Sequence, residues 1–576
     1  MKKRLCIYIY IGLSLITTTT FAQKHDYIWY LGYDLLDDPD ESEYGTTALD
    51  FSNIDHPTTT SLPFSKLDFT DTNAGICDED GNVLFYFNGQ DIEDVSFAEM
   101  LNGSNINDDP ANIGYDLPQG AIVLPWPEHP DHYVMFHNTL GISWFGWGAY
   151  ELRYSVIDMN GNDGLGEVVQ RRRFLLYEPL TFGQLTATKH ANGRDWWLLV
   201  NTQDSNLYYR YLLDPSGVRR IEDQVIGENV QTGLGQAVFS PDGRWHVRFN
   251  TISPTLGCYL DIYEFDRCTG LLSNPIAQHL DIPALAGGAA ISPNSRYLYI
   301  TTTPQIDQYD LYAPDILASR QTVAEYDGFG DPFATIFYQI QLAPDGKMYV
   351  CAANGSKYLH IIHQPDLPGL ACQVEQHGYQ LPTYNASSIP NFPNYRLGPI
   401  DGSPCDTLGI NNVPVALFRY ATDTMDYREV VFHDLSYYEP EEWLWDFGDG
   451  NGSTDRHPTH TYTQYGLYEV CLTVSNVNGE HTLCRPVLIG TVATDEPGQG
   501  LAVRVFPNPV QDRVILEWGG ETAQFSLSDA LGRLVLQGTL RKGNNAFDLG
   551  RLPAGLYVYA IVQGGKAVNA GKIVKQ

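Results

Sequence analysis

The sequence predicts an all-β chain: a six- or seven-bladed β-propeller-like domain followed by two β-sandwich domains. Three observations predict it. Turn-forming Asp-Gly, Asn-Gly and Pro-Asn steps recur through the first two thirds of the chain at about the spacing of one four-stranded blade. Short apolar runs follow those turns, as strands buried on both faces require. Tyr (37) and Gly (53) are abundant among 576 residues, a mixture that suits pleated sheet and tight turns better than helices.

The elements follow in order. Lys2, Lys3 and Arg4 precede a short apolar run from Leu5 to Ile16, and small residues at Thr20 and Ala22 place a signal-peptide cleavage before Gln23. That run is short of the ~20 apolar residues a bilayer span takes. Cys6 lies at the start of the run, where a lipidation cysteine would have to follow it. From 23 to 400 a loose unit repeats. Its copies are Asp80-Gly-Asn-Val-Leu-Phe-Tyr-Phe87, Glu128-His-Pro-Asp131, Asn192-Gly-Arg-Asp195, Ser240-Pro-Asp-Gly243, Ser292-Pro-Asn-Ser295 and Pro344-Asp-Gly346. Six turns imply six blades, and a seventh would close the ring by joining Tyr27–Tyr30 to strands near residue 380. Stacked sandwiches with similar turns are the competing arrangement. Residues 401–413 are a Gly/Pro/Asp/Asn linker, 414–490 a second domain, 491–500 a second linker and 501–576 a third domain.

Several stretches carry resemblances. Leu84–Gly89, Gln119–Pro125, Leu185–Trp197, Gln341–Val350 and Ile389-Pro-Asn-Phe392 resemble propeller-like segments of large exported Bacteroidetes proteins, a family that implies no settled activity. Trp443-Leu-Trp445-Asp446-Phe447-Gly448-Asp449-Gly450, then His457–Tyr462 and Tyr465–Ser475, resemble a PKD domain, an immunoglobulin-like sandwich. Trp445 and Phe447 suit its inter-sheet core, and Gly448 and Gly450 its tight turn. Pro507-Asn508-Pro509, Leu552-Pro553-Ala-Gly555-Leu-Tyr557 and a basic last strand resemble the type A sorting domain of the type IX secretion system, again a small sandwich. That resemblance implies passage across the outer membrane and contact with the secretion machinery and its sortase-like peptidase. It also implies removal of the tail, with attachment to surface lipopolysaccharide or release.

Charge and cysteines narrow the function. The net charge of −34 disfavours nucleic acid and anionic lipid. Residues 501–576 reverse the sign, with nine Lys and Arg against five Asp and Glu, and so mark a separate domain. Without Cys6 eight cysteines remain, and close spacing favours Cys258–Cys268, Cys351–Cys372 and Cys471–Cys484, leaving Cys77 and Cys405. There is no nucleophile elbow (Gly141-Ile-Ser-Trp-Phe145 lacks the closing glycine), no His-Glu-x-x-His and no P-loop. No catalytic residue, metal ligand or cofactor is therefore expected. Calcium is the one candidate ion, at Asp158-Asn160-Asn162-Asp163 and at Asp449-Asn451-Ser453-Asp455. The twelfth positions, Val169 and His460, supply no closing Glu, so Asx turns are the simpler reading.

His129 and His132 read as a solvated turn, and Asp37, Asp38, Asp40, Glu41 and Glu43 as a solvated acidic run. Trp144, Phe145 and Trp147, in the Gly-rich stretch Gly141–Gly148, suit either blade packing or a stacking surface. Asp406-Thr-Leu408 and Asp423-Thr-Met425 resemble a Bacteroidetes O-glycosylation signal. The expected function is non-catalytic binding or adhesion to a glycan or protein. The alternative is an extracellular hydrolase whose site lies in the propeller funnel.

Overall fold

The computed structural model describes residues 23–33, 43–63, 65–107, 115–143, 146–230, 233–253, 255–422, 428–489, 503–507, 510–529, 534–553, 555–563 and 566–575. The signal segment, the acidic run through Glu41, Trp144, Phe145, Asp423–Met425, the second linker, Asn508 and Pro509 lie outside the described residues.

Each turn repeat sits between the first and second strands of one antiparallel sheet. Blade 1 has three strands, Ala74–Cys77, Val83–Phe87 and Ile92–Asp94. The inner strands of blades 2 to 6 are Ala121–Pro125, Thr186–Lys189, Leu234–Phe239, Gly287–Ile291 and Phe337–Leu342, each leading a meander of at least four strands. The turns follow one local chemistry. A side-chain oxygen of Asp78, Asn192, Asp242, Asn294 or Asp345 accepts the backbone N–H two residues on. A positive φ at Gly81, Asp131, Gly193, Gly243, Ser295 or Gly346 then reverses the chain.

A seventh, three-stranded sheet (Ile28–Tyr33, Gly45–Asp50, Thr58–Leu62) completes the ring. Tyr30 stacks on Tyr86 of blade 1 at 4.1 Å, and Thr47 bonds Thr383 of blade 6 at 2.6 Å. The strand at 28–33 pairs within its own sheet, and it is Thr47 of the neighbouring strand that bonds to Thr383.

The axis is laced by side-chain amides. Gln119 Oε1 accepts from Ala237 N (2.8 Å), and Gln236 Oε1 accepts from Ile340 N (2.8 Å) and Ala289 N (3.3 Å). After blade 6 the chain turns into the channel. There Asn391 Nδ2 donates to Ala121 O (2.8 Å) and Leu185 O (2.9 Å), Asn391 Oδ1 accepts from Gln119, and Asn391 N donates to Asn73 O. Blades 2 to 6 are thus joined through three amide side chains, and blade 1 through the Asn391 backbone N–H. Crowding there demands small residues: a Cβ on Gly288 would lie 2.3 Å from Gln236 Oε1. Below Asn391, the Tyr395 hydroxyl donates to Val123 O, and Arg396 grips Asp26 with two bonds of 2.6 Å.

The second domain is a sandwich. One sheet comprises Phe418–Thr422, Glu429–Asp434 and Thr459–Thr461; the other comprises Glu442–Asp446, Gly452–Ser453, Gly466–Asn476 and Gly479–Ile489. Trp445, Phe447, Val470, Leu472 and Val474 fill its core, and Gly448 and Gly450 take φ of 75° and 92° at the turn beside Asp446 and Asp449. The third domain pairs two further sheets over Val514, Trp518, Phe525 and Tyr559. There Pro507 follows the strand Val503–Phe506. Leu552 and Pro553 precede Gly555–Gln563, in which Tyr557 is buried and donates to Pro553 O at 2.8 Å. Among the described residues no helix is long and apolar enough to cross a membrane.

The disulfides correct the spacing argument. Cys471 pairs with Cys484, directly opposite on adjacent strands. Cys268, however, pairs with Cys405, 137 residues away. Cys258 starts the strand Gly257–Asp266 and Cys268 lies beyond its far end, so extended backbone holds them roughly 30 Å apart. Cys351 packs in the axial core and Cys372 in the core shared by blades 5 and 6; both are free thiols, as are Cys77 and Cys258.

Candidate functional site

The two mouths of the channel differ. The C-terminal ends of the inner strands meet the second domain. Leu435 packs so close to the blade 6 turn that a Cβ on Gly346 would stand 2.5 Å from its Cδ2. Tyr420 N donates to Asp55, Arg485 pairs with the same carboxylate, and Arg419 donates to His363 O. Between the domains lies a cavity of about 200 Å³ lined by Asn394, Arg396, Asp434, Tyr437 and Arg456. The Cys268–Cys405 bond ties the linker to blade 4 at this end. This mouth is capped.

The opposite mouth, where the inner strands begin, carries the candidate site. Asp71 enters blade 1, and Asp116 enters blade 2 just before Gln119. The Tyr338 hydroxyl and the Gln339 side chain of blade 6 face Asp71. Burial, with the Asp116 carboxylate next in weight, pushes the Asp71 carboxyl up to about 7. Asp71 is therefore protonated in a large fraction of molecules at neutral pH and able to donate. Asn138 stands opposite Gly120 on blade 2; it is fully buried, and neither of its amide atoms has a hydrogen-bond partner.

One hairpin overhangs this mouth. The second strand of blade 2, His132–Ser143, pairs His137 with Ala121 and then runs six residues further, roughly 20 Å of extended chain. Its partner strand begins at Gly146, and Trp147 pairs with Ile142 near the tip. Of the aromatic residues picked out in the sequence, Trp147 belongs to this hairpin, and Trp144 and Phe145 lie outside the described residues.

The remaining sequence candidates have ordinary partners. His129 and His132 sit 6.1 Å apart at the other end and bond to Pro215 O and Pro130 O. Asp158 accepts Asn160 N in an Asx turn. Asp449 accepts from Asn451 and, at 2.9 Å, from His460, the very residue at the twelfth position of that loop. Among the described residues no three His, Cys, Asp or Glu side chains are grouped to hold a metal. Sequence reasoning missed Asp71, Asp116, Gln119, Gln236 and the role of Asn391. The one signal that could have found them is the set of small-residue steps at inner-strand starts, Gln119-Gly-Ala121, Gly235-Gln-Ala237 and Gly287-Gly-Ala289.

Comparison with known proteins agrees with the domain chemistry. Residues 412–487 match the PKD domain family and residues 504–576 the secretion system C-terminal sorting domain family. The chain is similar to the PKD1 domain of the Vibrio cholerae metalloprotease PrtV, with 31% identity over 14% of this chain and 99% of that one, at a TM-score of 0.13. A PKD1 domain of Vibrio anguillarum Epp gives 32% over 14% and 95%, with the same score of 0.13. A Bacteroides uniformis protein carrying a provisional 6-phosphogluconolactonase name gives 13% identity over 63% of this chain and 98% of that one, at a TM-score of 0.39. The sorting domain makes this an exported multidomain protein of Bacteroidetes type, which engages the type IX secretion machinery and is delivered to the outer-membrane surface or beyond.

Proposed function

We propose that this exported chain is a non-catalytic binding or adhesion protein, whose propeller seats a neutral, hydroxyl-rich glycan at the mouth where its inner strands begin. The PKD domain serves as a fixed base on the opposite side. The observation that carries the reading is the axial plug: Asn391 bridges the inner strands across the channel that a funnel enzyme would use to admit substrate. A ligand then rests on the mouth instead of passing through it. The half-buried Asp71 carboxyl, partly protonated and backed by Tyr338 and Gln339, supplies a donor and an acceptor for sugar hydroxyls.

The test is retention of polysaccharides by the mature secreted protein on a glycan array, with mass analysis of the supernatant. The reading expects intact retained glycan and loss of retention in Asp71→Ala. Retention by neither protein would overturn it.

A second reading rests on the same carboxyl. A protonated Asp71 beside the Asp116 carboxylate is the pairing an acid–base hydrolase needs. Released oligosaccharide that disappears in Asp71→Asn would select it.

A further inference from the structure

A second groove, of about 770 Å³, opens at the capped end between blades 1, 2 and 3. Its walls include His25, Trp126, His129, Lys189, Arg194 and Trp196. Lys189 ends the inner strand of blade 3 and is only 8% exposed. Its Nζ lies 4.8 Å from the centre of the Trp196 ring, and its hydrogen bond, to Gly193 O, is a long one of 3.4 Å. Among the described residues it has no ion-pair partner, although the chain carries 69 carboxylates against 35 cations.

A second cation sits beside it. Arg267, equally buried, donates its Nε–H to Lys189 O at 2.8 Å and a further bond to Gly398 O. The charged groups facing Lys189 are Arg267, Asp195 and Glu79, with His25 close by. Burial first, and Arg267 second, lower the ammonium to about 8 against the opposing pull of Asp195 and Glu79. A desolvated lysine next to another cation is the arrangement that makes an amine nucleophilic near neutral pH.

We propose that Lys189 is a covalent capture site for small neutral aldehydes or ketones with a flat apolar body, held in this groove against the half-buried Trp126. The unprotonated Nζ attacks the carbonyl carbon and a C–N bond forms. The two amine hydrogens leave with the carbonyl oxygen as water, and an imine remains. Hydrolysis reverses the step, so capture needs no oxidant or reductant. The Trp126 indole in the groove wall gives the carbon skeleton its apolar contact. The acidic residues of the rim, Asp78, Asp80 and Asp131, disfavour anionic carbonyl compounds.

The test uses the full mature protein and benzaldehyde as probe. Imine is trapped with cyanoborohydride at pH 8, and the benzyl adduct is mapped by peptide mass spectrometry. Lys189 should be labelled at least tenfold faster than the exposed Lys66. Its labelling should reach half its maximum near pH 8, and glyoxylate, the anionic counterpart, should label it more slowly. Lys189→Arg should lose the adduct and keep its circular dichroism spectrum. The wild-type map decides the matter even if that variant misfolds. Labelling of Lys189 no faster than of Lys66, or only above pH 10, would overturn the proposal and leave the side chain a packing element over Trp196.

Discussion

Replacing Asn391 by alanine should loosen the propeller at its axis. The side chain is 5% exposed and makes three bonds: donations of 2.8 Å to Ala121 O and 2.9 Å to Leu185 O, and an acceptance of 3.1 Å from Gln119. Each net bond contributes about 1 kcal/mol, and each buried partner left unmade costs about 1–3 kcal/mol. A water entering the vacated space recovers part of that loss, so the expected destabilisation is about 3 kcal/mol. Asn391→Asp should be no better. It keeps the acceptor for Gln119 but turns a carboxylate toward two carbonyl oxygens.

The assay is guanidinium unfolding followed by tryptophan fluorescence. Trp29 lies 6.4 Å from Phe392 of the same plug, and so reports on this region. A change under about 0.5 kcal/mol for Asn391→Ala would refute the reasoning, because it would mean the inner strands hold their ring without the amide.

Other expectations follow from single contacts. Asp71 has its folded-state carboxyl raised from 3.8 to about 7, so its stabilising effect is complete below pH 4 and is lost as the pH rises through 7. Asp71→Asn should therefore leave stability unchanged at pH 4 and raise it at pH 8, by at most about 4 kcal/mol; denaturant midpoints at the two pH values check this. Cys405→Ser removes a bond that closes 137 residues, worth up to about 5 kcal/mol in the chain-entropy account, and should show as a lowered thermal midpoint together with faster proteolysis of the linker. Gly346→Ala places a Cβ 2.5 Å from Leu435 Cδ2 at a φ of 75°, and should cost about 2 kcal/mol and loosen the PKD domain from the propeller, seen as increased hydrogen exchange at 417–437.

The parts of this molecule legible in its sequence are those built by local chemistry. All six turn repeats fall between first and second strands, and in five of them an Asx turn, which needs only its own few residues, makes the reversal. Cys471–Cys484 was legible for the same reason: a short hairpin sets the two side by side. Cys268–Cys405 was not, because the ring brings the blade 4 turn to the linker only after every blade has closed. Asn391 appeared in the sequence as part of Ile389-Pro-Asn-Phe392, yet a segment without strand alternation gives no hint that it enters the axis. Asp71 and Asp116 come from separate loops, and no spacing rule joins them. Lys189 looks like an ordinary strand end until Arg267, 78 residues later, is seen against it.

Hydrogen exchange on the mature chain saturated with a retained polysaccharide tests the central claim most directly. The account predicts added protection at 68–73, 116–121, 137–143 and 337–341, with none at 126–133 or 417–437. Protection confined to the capped end, with the inner-strand starts unchanged, would contradict it.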